Sequence, residues 1–279
     1  MRLAFILLAL AGLTACNRNA SKTEEPAKPA ALTYEGGDYK DEAGKLAHGK
    51  RLAAVLDCTG CHGENLQGKN VTRDDPSYGD MNAPNITLLL AKYSDEDFRH
   101  FIHDGVPRDG REFWFMPVES FQFLSDADLD ALLAFLRTFK PAGKQLPPIK
   151  KGKGFQEDLE RGFKNSSEQV ARYRADPPVD MGPSYERGRY LVKTTCTACH
   201  NNALQGYPGF SPDLDIAGTY SEAELTRLLT TGEGKTKKDL GMMSVMGRYI
   251  FINFTPRERN AIIGYVKARA DRPQPAQAN

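Results

Sequence analysis

Apolar residues along this chain recur at helical spacing, and each recurrence is bracketed by residues that start or stop helices. Ala43 to Asp57 reads as a first helix, with Leu46, Leu52, Ala53 and Leu56 on an inner face. A long Gly-, Pro- and Asn-containing loop follows, running through Pro84-Asn85-Ile86-Thr87. Ser94-Asp95-Glu96-Asp97 then opens a middle helix with a capping box, and Gly105 stops it. Ser125-Asp126-Ala127-Asp128 opens a third helix in the same way, with Leu129, Leu132, Leu133 and Leu136 at i, i+3, i+4 and i+7 and Pro141 beyond its end.

The same order then returns, so the pattern is a duplication. Arg187-Gly188-Arg189-Tyr190-Leu191 stands where the first helix stood, and Ala203-Leu204-Gln205-Gly206 matches Asn65-Leu66-Gln67-Gly68. Pro212-Asp213-Leu214 matches Pro84-Asn85-Ile86, Tyr220-Ser221 with Glu224 matches the middle cap, and Gly232 matches Gly105. Thr255-Pro256-Arg257-Glu258 opens the last helix, with Pro at its first position, and Ile262, Ile263 and Val266 take the places of Leu132, Leu133 and Leu136. Phe135 and Tyr265, at equivalent places, are expected to pack near Gly49 and Gly188, where a missing side chain permits close approach. The expected fold is all-α, with two tandem domains at 41–143 and 184–270 joined by a long strap at 144–183, in which Ser167 to Ala175 makes one helical piece. Residues 271–279 read as a disordered tail.

The N-terminus has a different logic. Met1-Arg2 is basic, Leu3 to Leu13 is apolar but too short for a comfortable transmembrane helix, and Leu13-Thr14-Ala15-Cys16 ends the run with small residues before a cysteine. Residues 1–15 are thus expected to be an export signal, with a plain signal peptide or an uncleaved anchor as the other readings. Residues 16–40, polar and carrying Pro26, Pro29, Gly36 and Gly37, read as a flexible tether. Composition changes little: 37 Lys and Arg against 36 Asp and Glu leave a net charge of +1 over 279 residues. The basic residues are scattered and balanced, so nucleic acid is not an expected partner.

Five cysteines change the picture more. Four form Cys58-Thr59-Gly60-Cys61-His62 and Cys196-Thr197-Ala198-Cys199-His200, the Cys-x-x-Cys-His spacing that attaches c-type haem. One helical turn sets both thiols to add across vinyl groups of one porphyrin, and the adjacent imidazole then lies under the iron. A structural zinc site would bring its two Cys pairs within about 20 residues, and these are far more widely separated. A thioredoxin-like pair would need flanking strands, and a disulfide within each motif would leave the neighbouring His unexplained twice. Two covalent haems, held by Cys58, Cys61, His62, Cys196, Cys199 and His200, are therefore expected.

These motifs, with Ala83-Pro84-Asn85-Ile86-Thr87, Asp109-Gly110-Arg111 and Met116-Pro117, resemble the dihaem class I cytochrome c family, the first module being most similar to cytochrome subunits of bacterial membrane-bound alcohol and sugar dehydrogenases. The resemblance implies an electron carrier and crossed first and last helices beside each haem. It also implies that the carbonyls of Pro84 and Pro212 orient the axial histidines. It places a methionine opposite each imidazole: Met116 in the first module, with Met81 or a histidine as alternatives, and Met243 in the second. There the repeat leaves two counts, since Gly105 to Met116 spans eleven residues, as does Gly232 to Met243, whereas the nine from Met116 to Ser125 match the nine from Met246 to Thr255. The family's ligand loop favours Met243 over Met246 and Met242. His48, His100 and His103 are not required, although His100 and His103 share a helix face, and Trp114 either lines the haem pocket or simply packs. Leu13 to Cys16 resembles a bacterial lipoprotein box, with Cys16 lipidated and Asn17 resembling the outer-membrane sorting pattern, on the periplasmic face. The implied partners are an exported dehydrogenase or quinol-oxidising complex on one side and a terminal oxidase or smaller cytochrome on the other. A dihaem peroxidase or haem-based sensor, with one axial site open, is the competing reading.

Overall fold

The computed structural model describes residues 32–272. The export signal, Cys16 and most of the tether, and the tail from 273 onward, lie outside the described residues. In the first module α1 (Glu42–Val55) starts at Asp41, whose carboxylate accepts from Gly44 N, and runs into a short haem-motif helix α2 (Cys58–His62). The loop carries α3 (Ile86–Leu90), capped by Asn85, and then α4 (Asp95–Asp104), whose Ser94–Asp97 capping box is complete and whose stop, Gly105, is left-handed at φ +68°. After α5 (Val118–Phe121) comes α6 (Asp126–Leu136). Its Leu129, Leu132, Leu133 and Leu136 are buried against Leu52, Ala53 and Val55 of α1. The crossing is set by Gly49: a Cβ there would stand 1.9 Å from Ala131 O and 2.9 Å from Phe135 Cβ. No side chain larger than hydrogen fits.

The strap is folded onto this first module. Lys150–Lys151 pairs antiparallel with Gly79–Asp80, and α7 (Lys153–Glu160) follows. That helix is not legible in the sequence, because Phe155 and Leu159 are its only large apolar residues. Phe155 is nonetheless fully buried, edge-on to Trp114 at 5.1 Å and to Tyr78 at 5.7 Å. The expected second piece is α8 (Ser166–Ala175). It lies along α5: Gln122 Nε2 donates to Val170 O (2.9 Å), and Ser167 Oγ donates to Gly105 O (2.6 Å).

In the second module α9 (Glu186–Thr195) leads to α10 (Thr197–His200), and a 3-10 stretch, Leu214–Thr219, replaces α3. The middle helix α11 (Glu222–Thr231) has its Ser221–Glu224 capping box and its left-handed stop at Gly232. Next come α12 (Met242–Val245), a π turn at Met246–Ile250 and a 3-10 turn at Phe251–Asn253. The last helix, α13 (Pro256–Asp271), crosses α9 at Gly188, where a Cβ would meet Ala261 O at 2.2 Å and Tyr265 Cβ at 2.6 Å. The two crossings are thus built on equivalent glycines, and the strands are confined to two-residue ladders, as expected of an all-α fold.

The last part of the expected tether is instead part of the fold, and the described residues form one body. Tyr34 is fully buried, its hydroxyl 2.6 Å from Thr194 Oγ1 and its amide donating to Asp128 Oδ2 at 3.0 Å. The next amide, Glu35 N, donates to Glu258 Oε1 at 2.8 Å. Asp128 and Glu258 are the repeat-equivalent third residues of α6 and α13, so each module ends one carboxylate in a common seam. Glu258 completes its own capping box and also takes both nitrogens of Arg51 from α1 (2.8 and 2.9 Å). Asp128 does not complete the box the sequence suggests. The hydroxyl of Tyr190, from α9, stands between, accepting from Ser125 N (3.0 Å) and donating to Asp128 Oδ2 (2.5 Å), while His48 Nε2 takes Oδ1 at 2.6 Å. Buried carboxylates this fully bonded hold only while every partner stays in place.

Candidate haem sites

Each attachment site is a short helix closed by a loop that returns to its histidine. In the first, Asp57 in a left-handed conformation (φ 55°) breaks α1 from α2 and turns Cys58, Cys61 and His62 inward. Gly68 N donates to His62 O (2.7 Å), and Ile86 N donates to Leu66 O (2.9 Å). Leu66 is buried and, unusually for a large side chain, left-handed at φ 57°. Gly68 is pressed so close that a Cβ would stand 2.4 Å from Ala83 O. This clamp brings Pro84 O to 2.8 Å from His62 Nδ1. A carbonyl can only accept, so Nδ1 carries the proton and Nε2 keeps its lone pair for a metal.

The second site repeats the device atom for atom. Gly206 N donates to His200 O and Leu214 N to Leu204 O, both at 2.9 Å, and Leu204 is left-handed at φ 61°. A Cβ on Gly206 would meet Ser211 O at 2.2 Å, and His200 Nδ1 lies 2.8 Å from Pro212 O. Sequence suggests the proline carbonyls only by resemblance; the geometry shows why the preceding Leu-Gln-Gly is repeated with them.

The donor set fits a covalently held porphyrin. Burial lowers the pKa of both imidazoles, partly offset by their proline carbonyls, and so favours the neutral, ligating form. The four thiols are unpaired; burial pushes Cys58 up to about 12 and Cys61 and Cys196 to about 11, and raises Cys199 as well. Cys58 and Cys196 pack against apolar side chains, and buried neutral thiols suit thioether links to a macrocycle better than thiolate ligation of zinc. Among the described residues no three His, Cys, Asp or Glu side chains gather as a metal site.

Of the sulfur candidates in the first module, Met116 is half-buried against the core that holds Cys58, whereas Met81 is buried outside that cluster, with its amide on Thr72 Oγ1 (3.0 Å). His100 pairs with Asp104 (2.8 Å), and His103 Nδ1 faces Gln122 O (3.1 Å). His48 is committed to Asp128. Trp114 packs on the strap, its Nε1 donating to Glu112 Oε2 (2.7 Å) and its ring under Lys151 Nζ. In the second module Met242 is 60% exposed, while Met243 and Met246 both touch the core that holds Cys196.

The structure locates the extra residues that make the count ambiguous. Gly232 is fastened to Ser244, whose Oγ donates to Gly232 O (2.5 Å) and accepts from Leu240 N (2.8 Å). Its counterpart Gly105 has Val118 at 3.4 Å from a Cβ placed there, behind the closer Val170 (2.8 Å) and Ser167 (3.2 Å) of the strap. Val118 lies thirteen residues after its glycine and seven before Ser125; Ser244 lies twelve after its glycine and eleven before Thr255. On this alignment the second module is one residue shorter before Ser244 and four longer after it, where the chain winds the π turn, a geometry that absorbs inserted residues.

One further group escapes sequence reasoning. Glu119, between the first methionine loop and the second haem motif, is buried with Oε2 unbonded, and burial pushes it up to about 7 against a lowering by its own amide and by Ser166. Nothing in its sequence context marks it, because its walls come from α8 and α10.

The cytochrome c family pattern matches residues 46–140 and again 185–270. A nicotinate dehydrogenase subunit of Pseudomonas putida is 30% identical over 68% of this chain and 18% of its own length. The fructose dehydrogenase cytochrome subunit of Gluconobacter japonicus is 23% identical over 80% of the chain and 52% of its own length. The gluconate 2-dehydrogenase cytochrome c subunit of Pantoea cypripedii is 28% identical over 56% of the chain, which spans 37% of it. With the family pattern lying over both modules, each holding the same thiol pair and carbonyl-braced imidazole, this chain belongs to the cytochrome c family and carries two c-type haems.

Proposed function

We propose that the chain is a dihaem electron carrier that takes electrons one at a time from an exported dehydrogenase or a quinol-oxidising complex and delivers them to a terminal oxidase or another cytochrome. When bound, each haem supplies a one-electron ferric/ferrous couple. The chain does the rest. Cys58 and Cys61, and Cys196 and Cys199, hold the macrocycles; His62 and His200 ligate through Nε2. The carbonyls of Pro84 and Pro212 lock the rings and raise their basicity. Met116 and Met243 would supply the second protein ligand to each iron, soft, neutral thioethers that would favour the reduced state and raise the potential. Met243 is preferred to Met246 because it keeps the eleven-residue count from Gly232 that Met116 keeps from Gly105, and because most of the added length falls after Ser244. The observation that carries the reading is the duplicated brace, in which the same clamp presents one imidazole in each module with a half-buried methionine after the middle helix. The dehydrogenase side of the proposal rests on the names of the relatives.

No helix among the described residues is long and apolar enough to cross a membrane. Membrane attachment in this proposal is by lipid at Cys16, on the periplasmic face of the outer membrane, argued from Leu13 to Asn17 alone. The test of the carrier reading is carbon monoxide added to the fully reduced protein. Neither haem should respond, because both axial positions are filled; ready binding at one would replace this reading with a peroxidase or sensor.

A further inference from the structure

The first methionine loop is joined directly to the second haem motif. Pro117 O accepts from Ser120 N (3.0 Å), and one turn into α5 the hydroxyl of Ser120 meets Thr197 Oγ1 at 2.8 Å. Thr197 is the residue between Cys196 and the second half of the motif, and both hydroxyl-bearing residues are fully buried. The network has a defined sense. Thr197 Oγ1 donates to Lys193 O (2.7 Å), so Ser120 is the donor to Thr197, while Tyr173 from the strap donates to Thr197 O (3.2 Å). The equivalent Thr59 of the first motif is only half-buried. The modules are therefore stacked head to tail, with the axial-methionine side of the first against the attachment side of the second.

Resting on the carrier reading above, we propose that this contact is the electron bridge between the two haems. Tunnelling falls off steeply across empty or solvent-filled space and far less along bonds. The chain offers a short bonded route: from Met116 through its peptide to Pro117, across the Pro117–Ser120 hydrogen bond, over the Ser120–Thr197 hydroxyl pair and into Cys196. In the step one electron leaves the ferrous iron of one module and enters the ferric iron of the other; no bond forms or breaks and no proton is transferred. Ser120 and Thr197 are positioning residues that hold the two ends in contact, and burial excludes water that would loosen them.

The test is the intramolecular exchange rate in the holoprotein, followed optically after a flash-generated one-electron donor has reduced part of the haem, with both reduction potentials and the charge-transfer band of Met-ligated ferric haem measured alongside. Ser120→Ala and Thr197→Val should each slow exchange several-fold with potentials and band unchanged, and Ser120→Thr should keep the native rate. Undiminished exchange in both hydroxyl-removing variants, or a slowing wholly accounted for by shifted potentials, would overturn the bridge. Failure of the carrier reading itself is separately visible, since it appears in the unmutated protein as carbon monoxide binding before any variant is compared.

Discussion

In the first module the segment just before the last helix is a single turn, α5, with α8 laid along one side and α9 and α10 against another. In the second the same stretch runs through α12, the π turn and a 3-10 turn, and it shows Met242, Val245, Tyr249 and Ile252 to solvent at spacings of three and four residues. The short version is roofed and the long version is open. Extra length turned outward gives the second module an apolar stripe where the first packs its α5 against α9 and α10. A chain built by duplication has thus covered this segment in one module and left it exposed in the other.

Several changes break or sharpen this contrast. The largest effect should come from the ligands. Met116→Ala and Met243→Ala should each abolish one of the two methionine contributions to the charge-transfer band and lower one reduction potential, while Met246→Ala leaves both contributions. A band halved by Met246→Ala and untouched by Met243→Ala would move the ligand beyond the insertion. A smaller but still severe effect is expected at the seam. Asp128→Ala strands the hydroxyl of Tyr190, His48 and the Tyr34 amide in a buried setting, and Glu258→Ala strands Arg51 and the Glu35 amide. Each should cost about 3–5 kcal/mol in chemical denaturation, and equal losses would show that the two modules lean on the seam equally.

Glu119 lies on the covered side and predicts a pH dependence that the open side lacks. Its carboxyl binds a proton more tightly folded (about 7) than unfolded (4.5), chiefly through burial. The stability this contributes is full below pH 4.5 and is lost as pH rises through about 7, because the folded state must then bury a charge. Glu119→Gln should remove that decline and raise stability at pH 8 by about 3 kcal/mol. A variant whose denaturation midpoint still falls between pH 5 and 8 as in the native chain would place the proton elsewhere. The smallest effect should be on the exposed stripe, where Tyr249→Ser, at a residue 63% exposed, should change stability by less than about 0.5 kcal/mol. A loss of several kcal/mol would mean that this face is covered in the folded protein.

Much of this is legible in the chain itself, because local signals act locally. A Cys-x-x-Cys-His run fixes what it can bind by the spacing of one turn; Ser94, Ser221 and Thr255 cap helices through amides three residues away; Gly49 and Gly188 announce close crossings by lacking a side chain. The duplication then doubles each signal. Hidden from that reading is everything decided by partners distant in sequence. Asp128 reads as an ordinary cap until Tyr190 reaches it from the other module, Tyr34 and Glu35 read as tether until Asp128 and Glu258 hold their amides, and Trp114 suits haem or strap equally. The ambiguity at Met243 has the same origin: the repeat fixes how many residues were added but not where, and the fastening of Gly232 to Ser244 is a contact across twelve residues that no local spacing encodes. Sequence by itself determined two haem sites and the order of the helices around them. Only the tertiary structure shows both modules in one body, with α5 of the first against α9 and α10 of the second, because contact between surfaces depends on which faces meet and no local spacing encodes that.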